Sequence, residues 1–170
     1  MDALKAIMTR RSIRRYTSEP VPDEVVEQLL RAACAAPSAN NQQPWAFIVI
    51  NDRELLDTIP EEVHPYTQML KEAPLAILVC GVPEREKHPG YWEQDCSAAT
   101  ENLLLAAHAL GLGAVWCGVH PREQRKEGMR ALLKIPEEVV PFSIVAVGHP
   151  AEEKPPSERY QEERVHHNRW

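Results

Sequence analysis

The sequence predicts an α+β domain in which a central mixed sheet of about four to five strands is flanked by helices. Three observations carry this. Apolar, β-forming runs alternate with helical segments along most of the chain. The longest helical segment is apolar on almost every face, and proline and glycine fall between the segments.

Asp2 to Thr9 opens the chain with helical periodicity, Leu4, Ile7 and Met8 recurring on one face, and runs into a cationic stretch from Arg10 to Arg15. Pro20 and Pro22 break the chain. Asp23 can cap the next segment, so Glu24 to Ala35 reads as a helix with Val25, Leu29 and Ala32 inward, ending at Pro37. Trp45 to Ile50 and Leu75 to Cys80 are nearly continuous apolar runs without alternation, which predicts two central strands covered on both faces. Between them, Arg53 to Ile59 and Tyr66 to Glu72 read as short helices separated by Pro60 and Pro65.

Trp92 to Leu110 is the long helix, and Gly111 and Gly113 close it because glycine tolerates the left-handed residue that ends many helices. A helix apolar all round needs neighbours all round. One small core does not supply them, so a second copy of the chain is expected against part of it. A strand follows at Ala114 to Cys117, an amphipathic helix at Pro121 to Leu133, and a last buried strand at Pro141 to Val147. Residues 1–170 are read as one domain, whose charged, proline-bearing tail from 150 to 170 is expected to wrap over a surface of the partner subunit.

Composition narrows the function classes. A chain of 170 residues buries roughly two thirds of its unfolded surface without staples. The formal net charge of -6 argues against a nucleic-acid partner, which selects for basic excess. No apolar run approaches the roughly 20 residues that cross a bilayer, and Met1 to Arg10 lacks a signal-peptide core, so a cytoplasmic protein without a membrane partner is expected. Cys34, Cys80, Cys96 and Cys117 form no CxxC pair and are expected as buried free thiols. The seven histidines lack helical ligand spacing, so no metal is expected.

Two segments carry chemistry. In Arg10-Arg11-Ser12-Ile13-Arg14-Arg15, guanidinium forks beside a hydroxyl suit phosphate oxygens; the alternative is a solvated basic turn complementing a helix end. In Ala36 to Trp45, a helix end delivers Asn41, Gln42 and Gln43 into a loop held before a strand. Amides of this kind can read the edge of a uracil-like ring, although they also simply favour loops.

Together these segments resemble the nitroreductase family of FMN-binding proteins. Arg10-Arg11-Ser12-Ile13-Arg14-Arg15-Tyr16 is similar to the family's RRS-x-R-x-(F/Y) element, Pro37-Ser38 through Gln43-Pro44-Trp45 to its PS…Q-PW loop, and Gly111-Leu112-Gly113-Ala114-Val115-Trp116 to its GLG-x-x-W element. The resemblance spans almost the whole chain. It implies a nitroreductase-like fold, an intertwined homodimer, and FMN held at the subunit interface with NADH or NADPH as electron donor. By the same resemblance, Arg10 and Ser12 would hold the phosphate and ribityl chain, with Arg11 in the same element. Arg14 would lie by the flavin pyrimidine, and Arg159 would complete the phosphate clamp. Pro37, Ser38 and Ala39 would come from the second subunit, Asn41 and Gln43 would sit beside the flavin, and Cys117, Gly118 and Val119 would pass under it. A backbone N–H near Gly118 would point at N5, so no catalytic side chain is assigned.

Two departures from the family pattern stand out. Ser157 occupies a position where some relatives carry another basic residue, and the residue expected to face the pyrimidine between Pro65 and Leu70 has no clear counterpart. The implied reaction is ping-pong hydride transfer through N5 to a small organic acceptor such as a nitroaromatic or a quinone. The rival is a non-catalytic protein that stores, senses or delivers a flavin or nucleotide; a dehalogenase or flavin-destroying relative would need an added motif. A Rossmann protein is disfavoured, because Gly111-Leu112-Gly113 comes after a helix and no GxGxxG comes after a first strand.

Overall fold

The computed structural model describes residues 1–170. Helix α1 (Ala3–Thr9) starts where Asp2 accepts the Lys5 N–H at 2.9 Å, an N-cap that pairs one of the donors a first turn leaves free. Helix α2 (Asp23–Cys34) is next, then strand β1 (Trp45–Ile50) and the short helix α3 (Arg53–Thr58). A π turn (Ile59–Val63) and a 3-10 segment (Pro65–Lys71) lead to strand β2 (Leu75–Gly81). Helix α4 (Trp92–Ala109), strand β3 (Gly113–Gly118), helix α5 (Glu123–Leu133) and strand β4 (Val140–Gly148) complete the frame. Gly111, at φ +81°, turns the chain out of α4 as the glycine pattern predicts.

The strands form one sheet in the order β1-β2-β4-β3, each neighbouring pair antiparallel. The sheet is antiparallel throughout where a mixed one is expected; one isolated parallel bridge, Ser12 to Ala114, sets the N-terminal segment along the free edge of β3, outside the four strands. Both faces are covered. Ala76, Leu78, Ile144 and Ala146 pack with Leu56, Ile59, Leu70 and Met129 on one side; Ile77, Val79, Val145 and Val147 pack with Leu29, Cys96, Leu103 and Ala107 of α2 and α4 on the other. β2 is buried at all seven positions, as its unbroken apolar run predicts. The expectation that β1 is also central fails. Its residues do face both cores, Trp45 and Phe47 one and Ala46 and Ile48 the other, yet it lies at the sheet edge, because apolarity reports covered faces and not position in the hydrogen-bond order. A register shift beside Val79 turns Phe142 onto the α4 side, among Trp92, Trp116 and His120.

Three further expectations meet the structure unevenly. α5 begins at Glu123, two residues beyond Pro121. All four cysteines are free, but only Cys80 and Cys96 are buried; Cys34 is exposed and Cys117 half-buried. Leu4, Ile7 and Met8 share the apolar side of α1, yet each is more than half exposed, and Ala6 alone is buried. Beside them Ala106 and Leu105 of α4 are half-buried and Ala109 is exposed, lining with Ile7 and Ala32 a shallow apolar groove of about 380 Å³. No helix is long and apolar enough to cross a membrane.

Candidate active site

The segment after α1 is pinned along the edge of β3. Ile13 N–H donates to Ala114 O at 3.1 Å, and the buried Tyr16 hydroxyl donates back to Ile13 O at 2.5 Å, so Arg10 to Arg14 are carried on a fixed backbone. The tail returns to meet it. Lys154 Nζ donates to Ser12 O at 2.7 Å, and Glu152 Oε1 accepts the Arg14 N–H at 2.6 Å. Those two bonds bring Arg159 into a cleft of about 330 Å³ that Arg10, Arg11, Ile7 and Ser157 also line. Residues 152 to 160 therefore lie against their own chain, while His166 and Trp170 pack on each other at 4.4 Å on the exposed end.

The guanidinium groups in this cleft are short of partners. Arg10 Nε and Arg11 Nη1 are both shielded from solvent with no hydrogen-bond acceptor, and the one carboxylate facing Arg10, Glu101, stands 3.4 Å away. A second cleft of about 340 Å³ adjoins the first through Arg11, with Thr9, His108 and Lys154 in its wall. Buried unpaired donors are expensive, so such a cluster is suited to an anion with several acceptor oxygens.

The Pro37 to Gln43 loop stands apart from the arginines. Its first residues, Pro37, Ser38 and Ala39, line a different cleft of about 360 Å³ with Tyr91, Gln94 and Asp95, and no cleft is shared between the two sets. Its backbone is held in an uncommon shape: Asn40, Asn41 and Gln43 have φ of 49°, 53° and 49°. Asparagine takes the left-handed region with little penalty, whereas glutamine does so at a cost of about 1–2 kcal/mol. Ser38 supports the turn, its hydroxyl accepting the Gln43 N–H at 3.0 Å and its carbonyl the Asn41 N–H at 3.0 Å. Gln43 Nε2 donates to Asn41 Oδ1 at 2.9 Å, and Gln42 reaches the other way to accept the Lys87 N–H at 3.1 Å. Asp95, 6% exposed, accepts the Ala39 N–H at 3.0 Å.

At the end of β3, Cys117 lies within 3.9 Å of Met69 Sδ, and Gly118 O accepts from both His64 Nε2 and Arg125 Nη1, each at 2.9 Å. Val119 is buried and its N–H donates to Phe142 O. Burial pushes the Cys117 thiol up, partly offset by the Arg14 and Arg125 cations. A Cβ built on Gly118 would touch only His120 O, at 3.7 Å, so packing within the chain does not require glycine there. No three His, Cys, Asp or Glu side chains converge as a metal site.

One chain thus brings Arg10, Arg11 and Arg159 to one cleft, with Ser12 and Arg14 further along the same segment, and separately sets Pro37, Ser38 and Ala39 in another cleft, with Asn41 and Gln43 bonded to each other in the same loop. Sequence reasoning misses His64, Asp95, Arg125, Glu152 and Lys154. Each is a lone polar residue with no spacing signal, and each gains its role from a contact that the fold alone creates.

Comparisons with known proteins bear on the family and the fold. Residues 7–65 and 60–149 match the family model described as the Nitroreductase family. The chain is 53% identical over 170 residues to a protein of Methanothermobacter thermautotrophicus named as a putative NADH dehydrogenase/NAD(P)H nitroreductase, covering all of this chain and 88% of the relative. A crystal structure of a similarly named protein from Parabacteroides distasonis superposes with a TM-score of 0.93 at 42% identity over 98% of each chain. A protein of Desulfovibrio desulfuricans named as a putative nitroreductase, solved in complex with FMN, gives a TM-score of 0.84 at 36% identity, covering 100% of this chain and 99% of that one.

Proposed function

The chain belongs to the nitroreductase family, and from that premise we propose that it is an FMN-dependent oxidoreductase that draws electrons from NADH or NADPH and passes them to a small organic acceptor, a nitroaromatic, a quinone or similar. The observation that carries the reading is the convergence of Arg10, Arg11 and Arg159 on one cleft, where Arg11 Nη1 and Arg10 Nε are buried without a hydrogen-bond acceptor and Arg10 has only the Glu101 carboxylate within ion-pair reach. These residues fit a phosphomonoester. Arg10, Arg11 and Arg159 would neutralise it and Ser12 would add a hydroxyl donor, each charge-assisted contact contributing about 1.5–3 kcal/mol.

When bound, FMN would supply the redox chemistry at N5 that links the nicotinamide to the acceptor, in a ping-pong sequence. The residues of the chain bind, orient and tune. Arg14, exposed at the end of the arginine segment, would place positive charge at the pyrimidine ring, where negative charge develops on reduction. Gly118 N–H would be presented at N5, with Cys117 and Val119 fixing the strand on either side. Pro37, Ser38, Ala39, Asn41 and Gln43, which the fold of one chain keeps out of the arginine cleft, would close the site from a second copy. The exposed apolar side of α1 and the groove against α4 would serve as the homodimer surface, and the exposed end of the tail would lie over the partner.

The test is the visible spectrum of the purified protein loaded with FMN, followed anaerobically as NADH and then NADPH is added, with sedimentation to count subunits. We expect a yellow dimer that bleaches with at least one nicotinamide. A yellow protein that neither nicotinamide bleaches is a carrier or sensor instead, and a colourless protein that takes up no FMN refutes the reading.

A further inference from the structure

We propose that His64 and Arg125 are positioning residues: together they clamp the Gly118 carbonyl and so hold the Gly118 N–H in the direction from which it meets the flavin. This rests on the flavin reading above.

β3 is an edge strand, with only β4 as a strand neighbour, and in an antiparallel ladder the N–H and C=O of one residue point to the same side, alternating along the strand. Ala114 O faces the free edge, where Ile13 N–H donates to it, and Val119 N–H faces β4, where it donates to Phe142 O at 3.0 Å. The alternation therefore directs both polar groups of Gly118 to the free edge. Its carbonyl is engaged there by two side-chain donors at 2.9 Å each, His64 Nε2 from the turn before β2 and Arg125 Nη1 from α5. A carbonyl only accepts, so the imidazole bears its hydrogen on Nε2.

Both donors are braced. His64 is 1% exposed; its own N–H donates to Ile59 O at 2.8 Å, and its carbonyl accepts the Thr67 hydroxyl at 2.6 Å. The Arg125 guanidinium lies 5.4 Å above the Tyr66 ring, which in turn meets the His64 ring edge-on at 6.2 Å. Burial and the adjacent Arg125 charge both hold the imidazole below the ordinary histidine value, which keeps it neutral. His64 Nδ1 is buried with no partner, a cost that a buried apolar residue would avoid. What this cost secures is direction. The Val119 N–H bond to Phe142 O and the two side-chain donors hold the peptide plane that carries the Gly118 carbonyl from both sides; glycine leaves its own φ and ψ unusually free, so a fixed plane on this side narrows the directions open to the N–H on the other, and Gly118 has no packing reason to be glycine.

The experiment uses the FMN-loaded protein and the variants Arg125→Met, Arg125→Lys and His64→Gln. Midpoint potential is read by dye-coupled titration, FMN affinity by fluorescence, and flavin reduction by anaerobic stopped flow. We expect Arg125→Met and His64→Gln to change the relative binding of oxidised and reduced flavin by about tenfold, equivalent to about 30 mV for a two-electron couple. Reduction should slow about tenfold with an unchanged KM for the nicotinamide, and Arg125→Lys should restore most of both. Arg125 is only half-buried, so its variants remain readable should His64→Gln fail to fold. Wild-type potential and reduction rate in Arg125→Met that still holds FMN would overturn the clamp alone. A wild-type protein that takes up no FMN would overturn the flavin reading and the clamp with it.

Discussion

The Asp95 carboxylate, buried at the start of α4, accepts the Ala39 N–H at 3.0 Å and so ties the left-handed loop after α2 to the longest helix. Its second oxygen, Oδ2, is buried without a partner. Asp95→Asn keeps an acceptor and removes a half-satisfied buried charge, whereas Asp95→Ala leaves the Ala39 N–H unpaired, at about 1–3 kcal/mol. Thermal unfolding of the two variants should separate them by several degrees, at about 2–4 °C per kcal/mol for a chain of this size. An Asp95→Ala protein as stable as Asp95→Asn would show that the bond does not hold the loop.

Gly113 and Gly118 bound the same strand for different reasons. A Cβ at Gly113 would stand 2.7 Å from Ile13 Cγ2, in the segment that carries the arginines, while one at Gly118 meets only His120 O at 3.7 Å. Gly113→Ala should cost about 1–3 kcal/mol in denaturant titration, as overpacking does. Gly118→Ala should unfold within about 1 kcal/mol of wild type yet, under the proposed function, bind FMN at least about tenfold more weakly, because the added methyl would meet the ligand and not the chain. Equal effects of the two substitutions on stability would contradict the distinction.

The frame was legible where covered faces decide the pattern. β2 is apolar because both its faces are buried, and the all-round apolar α4 is in place although part of it stays open in one chain. Order across the sheet was not legible: β1 has the same composition as an interior strand, and hydrogen-bond order leaves no mark on which faces are apolar. Within the site, Arg10, Ser12 and the Pro37 to Gln43 loop stood out through local motifs. His64 and Asp95 did not, since their partners lie 54 and 56 residues away and a single buried polar residue has no period.

Glu152 supplies a pH test of the tail. It accepts the Arg14 N–H at 2.6 Å and pairs with Lys154 at 3.0 Å, and these contacts hold its carboxyl below the ordinary glutamate value. A carboxyl depressed in the folded state stabilises above its unfolded value, and that contribution is lost as pH falls through the folded one. The Arg14 amide resonance should therefore stay fixed from neutral pH down to the ordinary glutamate value of about 4.3 and move only below it. Glu152→Gln should abolish that movement. A midpoint at or above the ordinary value would mean that the carboxylate does not hold the tail.

Arg10 separates cofactor binding from folding. Its only facing carboxylate is Glu101, 3.4 Å away and about half exposed, so Arg10→Ala leaves behind an acid that water can solvate, and stability should change little. Under the proposed function the same substitution would remove a charge-assisted contact to phosphate worth about 1.5–3 kcal/mol, or about 10- to 150-fold in FMN affinity. Glu101→Gln has the opposite expectation, because it releases the guanidinium from its competitor and should leave FMN binding unchanged or tighter. Fluorescence titration of both variants with FMN decides the matter. If Arg10→Ala binds as tightly as wild type while Glu101→Gln binds more weakly, the buried guanidinium serves the helix and not the phosphate.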